Sequence, residues 1–192
     1  MKPLAVNSHS LEHIISECQK NKRKAQNELF TKYKDTLYFL SLKYCRNEAD
    51  AEDNLQESFM TIFEKIKTYK GKGSFEGWMK RITIYKAIDR YKKQKEFPTE
   101  EFPSLEDTSI EKELTKIPLG TLLGFVQELP DQYRLVFNLF QLDGYSHREV
   151  SQMLSISEST SKSNYHRAKL ILKQKITDYH LEVQKNKPSY GS

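Results

Sequence analysis

Aromatic rings and cations are interleaved along residues 68–95, around a turn that contains Gly71 and Gly73. Bases of a single nucleic-acid strand can stack on such rings while the cations follow its phosphates, so the pattern predicts a single-strand platform. The alternative is that the rings belong to a core and the cations to a solvated face. Arg81 and Tyr85 lie four residues apart and share a helix face, which favours a common surface. The aromatic residues are Phe75, Trp78, Tyr85 and Tyr91, and the cations are Lys80, Arg81, Lys86, Arg90, Lys92 and Lys93.

A second candidate site lies in residues 144–172, where two short helical patterns are separated by a break. Ser146 followed by Glu149 predicts a capping box for the first helix, and Ser157 predicts the cap of the second. Ile156 is the expected apolar plug between them. Hydroxyls and cations on the second helix suit base edges and phosphates in a DNA major groove. A helical hairpin with a solvated face is the alternative. The side chains concerned are Ser159, Thr160, Lys162, Ser163, His166, Arg167 and Lys169, and the acidic Glu158 lies in the first turn of the same helix.

Two residues depart from the usual helix-turn-helix pattern. Ser155 replaces the customary turn glycine, and Ser161 stands where an apolar plug is usual. We expect Ser161 to weaken the packing between the two helices.

A third candidate is an acidic rim beside an apolar stripe in residues 47–63. It is either the start of a helix, where acidic side chains are favoured by the helix dipole, or a docking face for a basic protein partner. Composition alone does not decide between the two. The acids are Asp50, Glu52, Asp53 and Glu57.

The elements that position these residues are predicted to be helices, because apolar residues recur every three or four positions and no strand-like alternation is sustained. We expect an all-α protein with two helical domains, residues 22–95 and 118–182. Between them, residues 96–117 are rich in Glu and contain two prolines, which predicts a flexible acidic linker. The second domain contains the helix-turn-helix. The expected first-domain core comprises Ala25, Leu29, Tyr33, Leu37, Leu40, Tyr44, Leu55, Phe59, Ile62, Phe63, Ile66, Phe75, Trp78, Met79, Ile82 and Ile88.

Composition restricts the class of protein further. The chain has 192 residues and a formal net charge of +5, which is compatible with binding a polyanion without proving it. Cys18 and Cys45 form no metal motif, so two reduced thiols are expected and no cofactor. No apolar stretch spans a membrane and the start has no signal-peptide pattern, so we expect a cytoplasmic location. No nucleotide loop, metal-ligand set or nucleophile–base pair indicates an enzyme.

Taken in their order along the chain, the three candidate sites resemble the extracytoplasmic-function sigma factors of bacterial RNA polymerase. The resemblance covers residues 22–95 and 118–177, and it rests on DAEDNLQESFMTIFEKI, GSFEGWMKRITIYKAIDRYKK and LPDQYRLVFNLFQLDGYSHREVSQML followed by SISESTSKSNYHRAKLIL. It implies a non-catalytic subunit that binds core RNA polymerase, recognises promoter DNA and promotes strand opening. It also implies an anti-sigma partner, and a linker that follows the RNA path of the polymerase.

The resemblance implies roles for individual residues. The core-polymerase face would be Asp50, Asp53, Gln56 and Glu57. The minus-ten element would be held by Tyr69, Lys70, Lys72, Ser74, Phe75, Trp78, Arg81, Tyr85, Lys86 and Arg90, although the family often has Asn at the position of Tyr85. The minus-thirty-five element would be read from Glu158, Ser159, Thr160, Lys162, Ser163, His166, Arg167 and Lys169.

Other classes make different predictions. A helix-turn-helix regulator acting alone would bind duplex DNA tightly without polymerase, but it gives no role to the acidic face or the aromatic segment. A structural helical adaptor would not need cations around Trp78. In the sigma-factor hypothesis, promoter binding is weak until polymerase is added.

Overall fold

The computed structural model describes residues 10–93 and 117–185, and within these ranges the regular structure is entirely helical. The all-α prediction is therefore confirmed. In chain order the elements are α1 (Leu11–Gln19), α2 (Arg23–Tyr44), α3 (Glu48–Lys65), a 3-10 turn (Ile66–Thr68), α4 (Phe75–Lys93), α5 (Leu119–Gln127), α6 (Asp131–Phe137), a π-helical turn (Asn138–Leu142), α7 (His147–Leu154) and α8 (Glu158–Lys185). The predicted linker lies outside the described residues except for its last residue, Ile117.

The chain forms two compact units. Among the described residues, the first unit contains 10–41 and 48–87, and the second contains 42–47, 88–93 and 117–185. This division assigns the last residues of α2 and α4 to the second unit. It differs in that respect from the predicted domains 22–95 and 118–182, which stay a prediction.

Helix α1 was not predicted, although its sequence carries two of the usual signals. Ser10 is the N-cap, and its hydroxyl accepts a hydrogen bond from the backbone N–H of His13 at 3.3 Å. Ile14 and Cys18, four residues apart, are both buried in the core of the first unit. Burial raises the pKa of the Cys18 thiol to about 11, which makes it a poor nucleophile. Cys45 is also free and buried.

The core of the first unit is built from apolar residues of α1 to α4, and the stripes of α2, α3 and α4 are those that the helical periodicity predicts. Leu29, Leu37, Ile62 and Met79 are fully buried at its centre. Among the other predicted core residues, Leu40, Leu55, Phe63, Trp78 and Ile82 are partly buried against it. Tyr44 and Ile88, which were predicted in the same core, are buried but fall in the second unit.

Asn54 is a buried polar joint between three helices of the first unit. Its side-chain amide donates to Ser41 Oγ on α2 at 3.0 Å and to the carbonyl oxygen of Thr83 on α4 at 3.3 Å. All three residues are almost completely buried. A buried polar group is costly unless it is hydrogen-bonded, so this joint favours one arrangement of α2, α3 and α4 over others.

Replacing Asn54 by Ala should therefore destabilise the protein by about 1–3 kcal/mol, because Ser41 and Thr83 lose a buried donor. Chemical denaturation followed by circular dichroism measures this. Gln56→Ala is the matched control, since Gln56 lies two residues along α3 on its exposed face. Equal stability of the two variants would show that the Asn54 joint contributes nothing.

The core of the second unit forms where α5, α6 and α8 meet. Val126, Leu129 and Phe137 pack with Ala168 and Leu172 of α8. Helix α8 is one continuous helix of 28 residues, so its first turns and the turns that carry Ala168 and Leu172 have one common register. Among the described helices, none is both long and apolar enough to cross a membrane.

Candidate nucleic-acid interface and protein-docking face

The loop before α4 depends on two glycines and a tyrosine. Gly71 and Gly73 have φ values of +72° and +77°, a left-handed conformation that glycine adopts without strain. The Tyr69 hydroxyl donates to the carbonyl oxygen of Gly73 at 2.8 Å and closes the loop. Ser74 then caps α4, because its hydroxyl accepts from the backbone N–H of Gly77 at 3.0 Å.

Three aromatic rings meet where this loop enters α4. The ring centroids of Tyr69 and Trp78 are 5.5 Å apart, and each lies 5.0–5.4 Å from that of Phe75. Phe75 is only 4% exposed and belongs to the core, whereas Tyr69 and Trp78 are half-buried. Tyr69 and Trp78 can therefore contact a ligand at this site, while Phe75 packs against both rings from the core.

The cations of this segment differ in exposure. Lys70, Lys72 and Arg81 are exposed, whereas Lys86 and Arg90 are half-buried. The guanidinium of Arg81 lies 5.8 Å from the ring centroid of Tyr85, so the predicted common face of these two residues is confirmed.

Helix α3 has two distinct faces. Asp53, Gln56 and Glu57 are exposed, and Asp50 is partly exposed. The same exposed strip continues to Met60, whose side chain is 64% exposed. Sequence reasoning did not name Met60, although its spacing of three and four residues from Glu57 and Gln56 places it on the acidic face.

The predicted helix caps of the helix-turn-helix are confirmed. The Ser146 hydroxyl accepts from the Glu149 N–H at 3.3 Å, and the Glu149 carboxylate accepts from the Ser146 N–H at 2.8 Å. The Ser157 hydroxyl accepts from the Thr160 N–H at 3.0 Å. These bonds define where α7 and α8 begin.

The residues predicted to contact DNA on α8 do not all lie on one exposed surface. Lys162 is exposed and its ammonium lies 3.2 Å from the Glu158 carboxylate. Lys169 is buried, with its ammonium 5.0 Å from the Tyr165 ring centroid, because its position in the helix faces the core. The exposed members are Glu158, Ser159, Lys162 and Ser163, and the partly buried members are Thr160, His166 and Arg167.

Both departures from the usual motif have a structural account. Ser155 adopts the left-handed conformation (φ 59°, ψ 44°) that the customary glycine would adopt. Ser161 is completely buried, and its hydroxyl lies 2.9 Å from Nδ1 of His147 on α7. The sequence showed the unusual Ser161 but not its partner, which lies 14 residues earlier.

Ser155→Gly should be more stable than Ser155→Ala by about 1 kcal/mol, because only glycine relieves the left-handed strain. Both variants lose the Ser155 hydroxyl, which accepts a hydrogen bond from Lys92 at 3.0 Å, so the comparison isolates the backbone effect. Thermal unfolding of the two variants measures the difference. A more stable alanine variant would contradict the account.

These features define a two-unit helical protein with a helix-turn-helix, a half-exposed aromatic platform and a separate acidic face. Comparison with known families agrees. Residues 29–97 match Sigma-70 region 2 and residues 119–172 match Sigma-70 region 4.

Curated relatives carry the same assignment. The chain is 30% identical over 159 residues to the ECF RNA polymerase sigma factor SigE of Mycolicibacterium smegmatis, in a match that covers 79% of this chain and 60% of that protein. It is 28% identical over 182 residues to SigW of Bacillus subtilis, covering 85% and 95% of the two chains. The chain thus spans less than two thirds of SigE but nearly all of SigW.

Solved structures of similar chains include two complexes. One is CnrH with the cytosolic domain of CnrY, with a TM-score of 0.47, 17% identity, and coverage of 86% of this chain and 96% of that chain. The other is RpoE with the anti-sigma factor NepR from Bartonella quintana, with a TM-score of 0.49, 15% identity, and coverage of 79% and 96%.

The chain belongs to the extracytoplasmic-function (ECF) sigma factors. It is a transcription initiation factor and not an enzyme.

Proposed function

We propose that the three sites perform successive steps of promoter-directed initiation. The α3 face docks on core RNA polymerase, the Tyr69–Trp78 platform holds unstacked bases of the minus-ten element, and α8 reads the minus-thirty-five element as duplex. The observation that carries this proposal is that the acidic face and the aromatic platform lie on consecutive helices of one unit. A helix-turn-helix regulator acting alone has no use for either.

Charge and exposure support the docking role of α3. Asp53 and Glu57 lie one helical turn apart on a solvent-facing strip, with Gln56 beside them. The exposed Met60 extends this strip with an apolar side chain. A partner surface that combines cations with an apolar contact would complement it in both charge and polarity.

The half-buried rings support the strand-opening role. Opening a duplex breaks base stacking, and a protein ring can replace part of it. Tyr69 and Trp78 are fixed by their mutual contact and by Phe75 beneath them, so their rings are held in place before DNA arrives. The exposed Lys70, Lys72 and Arg81 would balance strand phosphates nearby.

The family resemblance also leads us to propose a cytoplasmic location, where polymerase acts. On the same basis, an anti-sigma factor would hold the free protein. A partner of that kind would compete with polymerase or DNA for one of the three sites.

The docking role predicts that Asp53→Lys with Glu57→Lys will weaken binding to core polymerase, because complementary charges become repulsive. Pull-down against core polymerase measures this, with circular dichroism as the test of folding. Asp178→Lys with Glu182→Lys is the matched control: it makes the same change in charge on exposed positions of α8, also one turn apart. Normal polymerase binding by the folded Asp53/Glu57 variant would refute the assignment.

The platform role predicts that Trp78→Ala will reduce strand opening more than polymerase binding. Stacking on an aromatic ring is worth about 1–3 kcal/mol per base, so the open-complex equilibrium should fall roughly ten- to a hundredfold. Permanganate reactivity of promoter thymines measures opening, and thermal unfolding of the isolated protein measures the structural contribution of the ring.

Two results separate stacking from packing at Trp78. A pre-melted bubble template should rescue the variant if opening is the defect. Loss of a purely structural ring would instead lower stability by about 3–5 kcal/mol and leave opening per folded molecule normal, which would refute the stacking role.

A further inference from the structure

The helix-turn-helix contains a polar pair at its centre, between His147 at the start of α7 and Ser161 in α8. Ser161 is completely buried, and its hydroxyl lies 2.9 Å from His147 Nδ1. The His147 ring is stacked on Phe140 of the π-helical turn, with centroids 3.9 Å apart and planes 10° apart. It also lies 5.8 Å from the Tyr165 ring. His147, the first residue of α7, therefore contacts both the π-helical turn that precedes it and α8 that follows.

The pair constrains how α8 lies against α7. The turn between them has three residues. The His147–Ser161 contact joins the two helices at the opposite end of α7, far from this turn. A completely buried hydroxyl needs a partner, and the Nδ1 lone pair of a neutral imidazole can accept its hydrogen. The polar contact thus takes the place of the apolar plug, and Ser161 is not left unsatisfied.

The surroundings of His147 favour its neutral form. Partial burial of the ring lowers its pKa below the ordinary 6.5, and the nearby Lys162 of α8 lowers it further, while Glu158 opposes the shift. Glu158 is itself paired with Lys162. The phenol of Tyr165 completes the α8 side, Arg148 and Glu149 follow on α7, and the π-helical turn contributes no titratable side chain.

The sign of the pH effect follows from this shift. Because the folded state holds the proton less tightly than the unfolded state, the unfolded state binds more protons as pH falls below about 6.5. The stabilising contribution of neutral His147 is fully present above that pH and is lost as pH falls through the lowered folded value. Protonation also converts Nδ1 from an acceptor into a donor, so the buried hydroxyl hydrogen of Ser161 loses its acceptor.

We propose that His147 is a positioning residue for promoter recognition: through Ser161 it holds α8 in the orientation that reads duplex DNA, and it does so only while its ring is neutral. The proposal rests on the assignment of α8 to the minus-thirty-five element. It predicts that recognition of this element weakens in mildly acidic conditions.

The experiment uses the full chain with core polymerase and a promoter fragment selected by that holoenzyme from a random library. The measured quantity is the ratio of affinities for this fragment and for the same fragment with its minus-thirty-five element scrambled. The ratio cancels pH effects on polymerase and on the minus-ten element. As the pH falls from about 8 through the lowered pKa of His147, this ratio should fall about three- to tenfold, the effect of losing one hydrogen-bonded contact.

Two variants assign the pH effect to His147. His147→Gln keeps a neutral acceptor for Ser161 and should give a ratio that does not change with pH. The double variant His147→Leu with Ser161→Val replaces the polar pair by an apolar one and should also be insensitive to pH. It serves as the test if the Gln variant does not fold, which circular dichroism at each pH establishes.

The outcomes distinguish the two proposals. A ratio near one for the unaltered protein at about pH 8 would mean that α8 does not read this element, and both proposals would fall. A large ratio that does not change with pH would overturn only the role of His147. The same holds for a pH dependence that persists in both variants, because it would then belong to a group other than His147.

Discussion

The structure depends on one constraint, which is that burying one face of a helix fixes which residues lie on its opposite face, because the helix turns as a rigid unit. In α3, the buried Asn54 and Ser58 fix the rotation of the helix, and Asp53 and Glu57 must then face solvent. In α8, burial of Ala168 and Leu172 fixes the first turns in the same way, because the helix is continuous. The core thus decides which residues polymerase or DNA can reach.

Polar contacts inside the two units add directional information to this constraint. Apolar packing tolerates small rotations and shifts, whereas a buried hydrogen bond is satisfied only over a narrow range of distance and angle. Asn54 supplies such a contact between α2, α3 and α4, and the His147–Ser161 pair supplies one between α7 and α8. Both lie beneath the surfaces proposed to bind the partners.

Departures from the family pattern are compensated locally. Ser155 adopts the backbone conformation expected of the absent glycine, and Ser161 gains a hydrogen-bonding partner in place of apolar packing. Tyr85, where the family often has Asn, receives the Arg81 guanidinium against its ring. The motif is therefore preserved as a shape, although the interactions that maintain it differ.

The sequence by itself determined the helical class, most of the core, the helix caps of the helix-turn-helix and the acidic strip of α3. These depend on residues at most four positions apart, and helical periodicity or cap chemistry makes them readable locally. Only the tertiary structure decided that Lys169 faces the core and that Ser161 is paired with His147. Those outcomes depend on which helix covers a given face, and that is set by contacts between residues far apart in the chain.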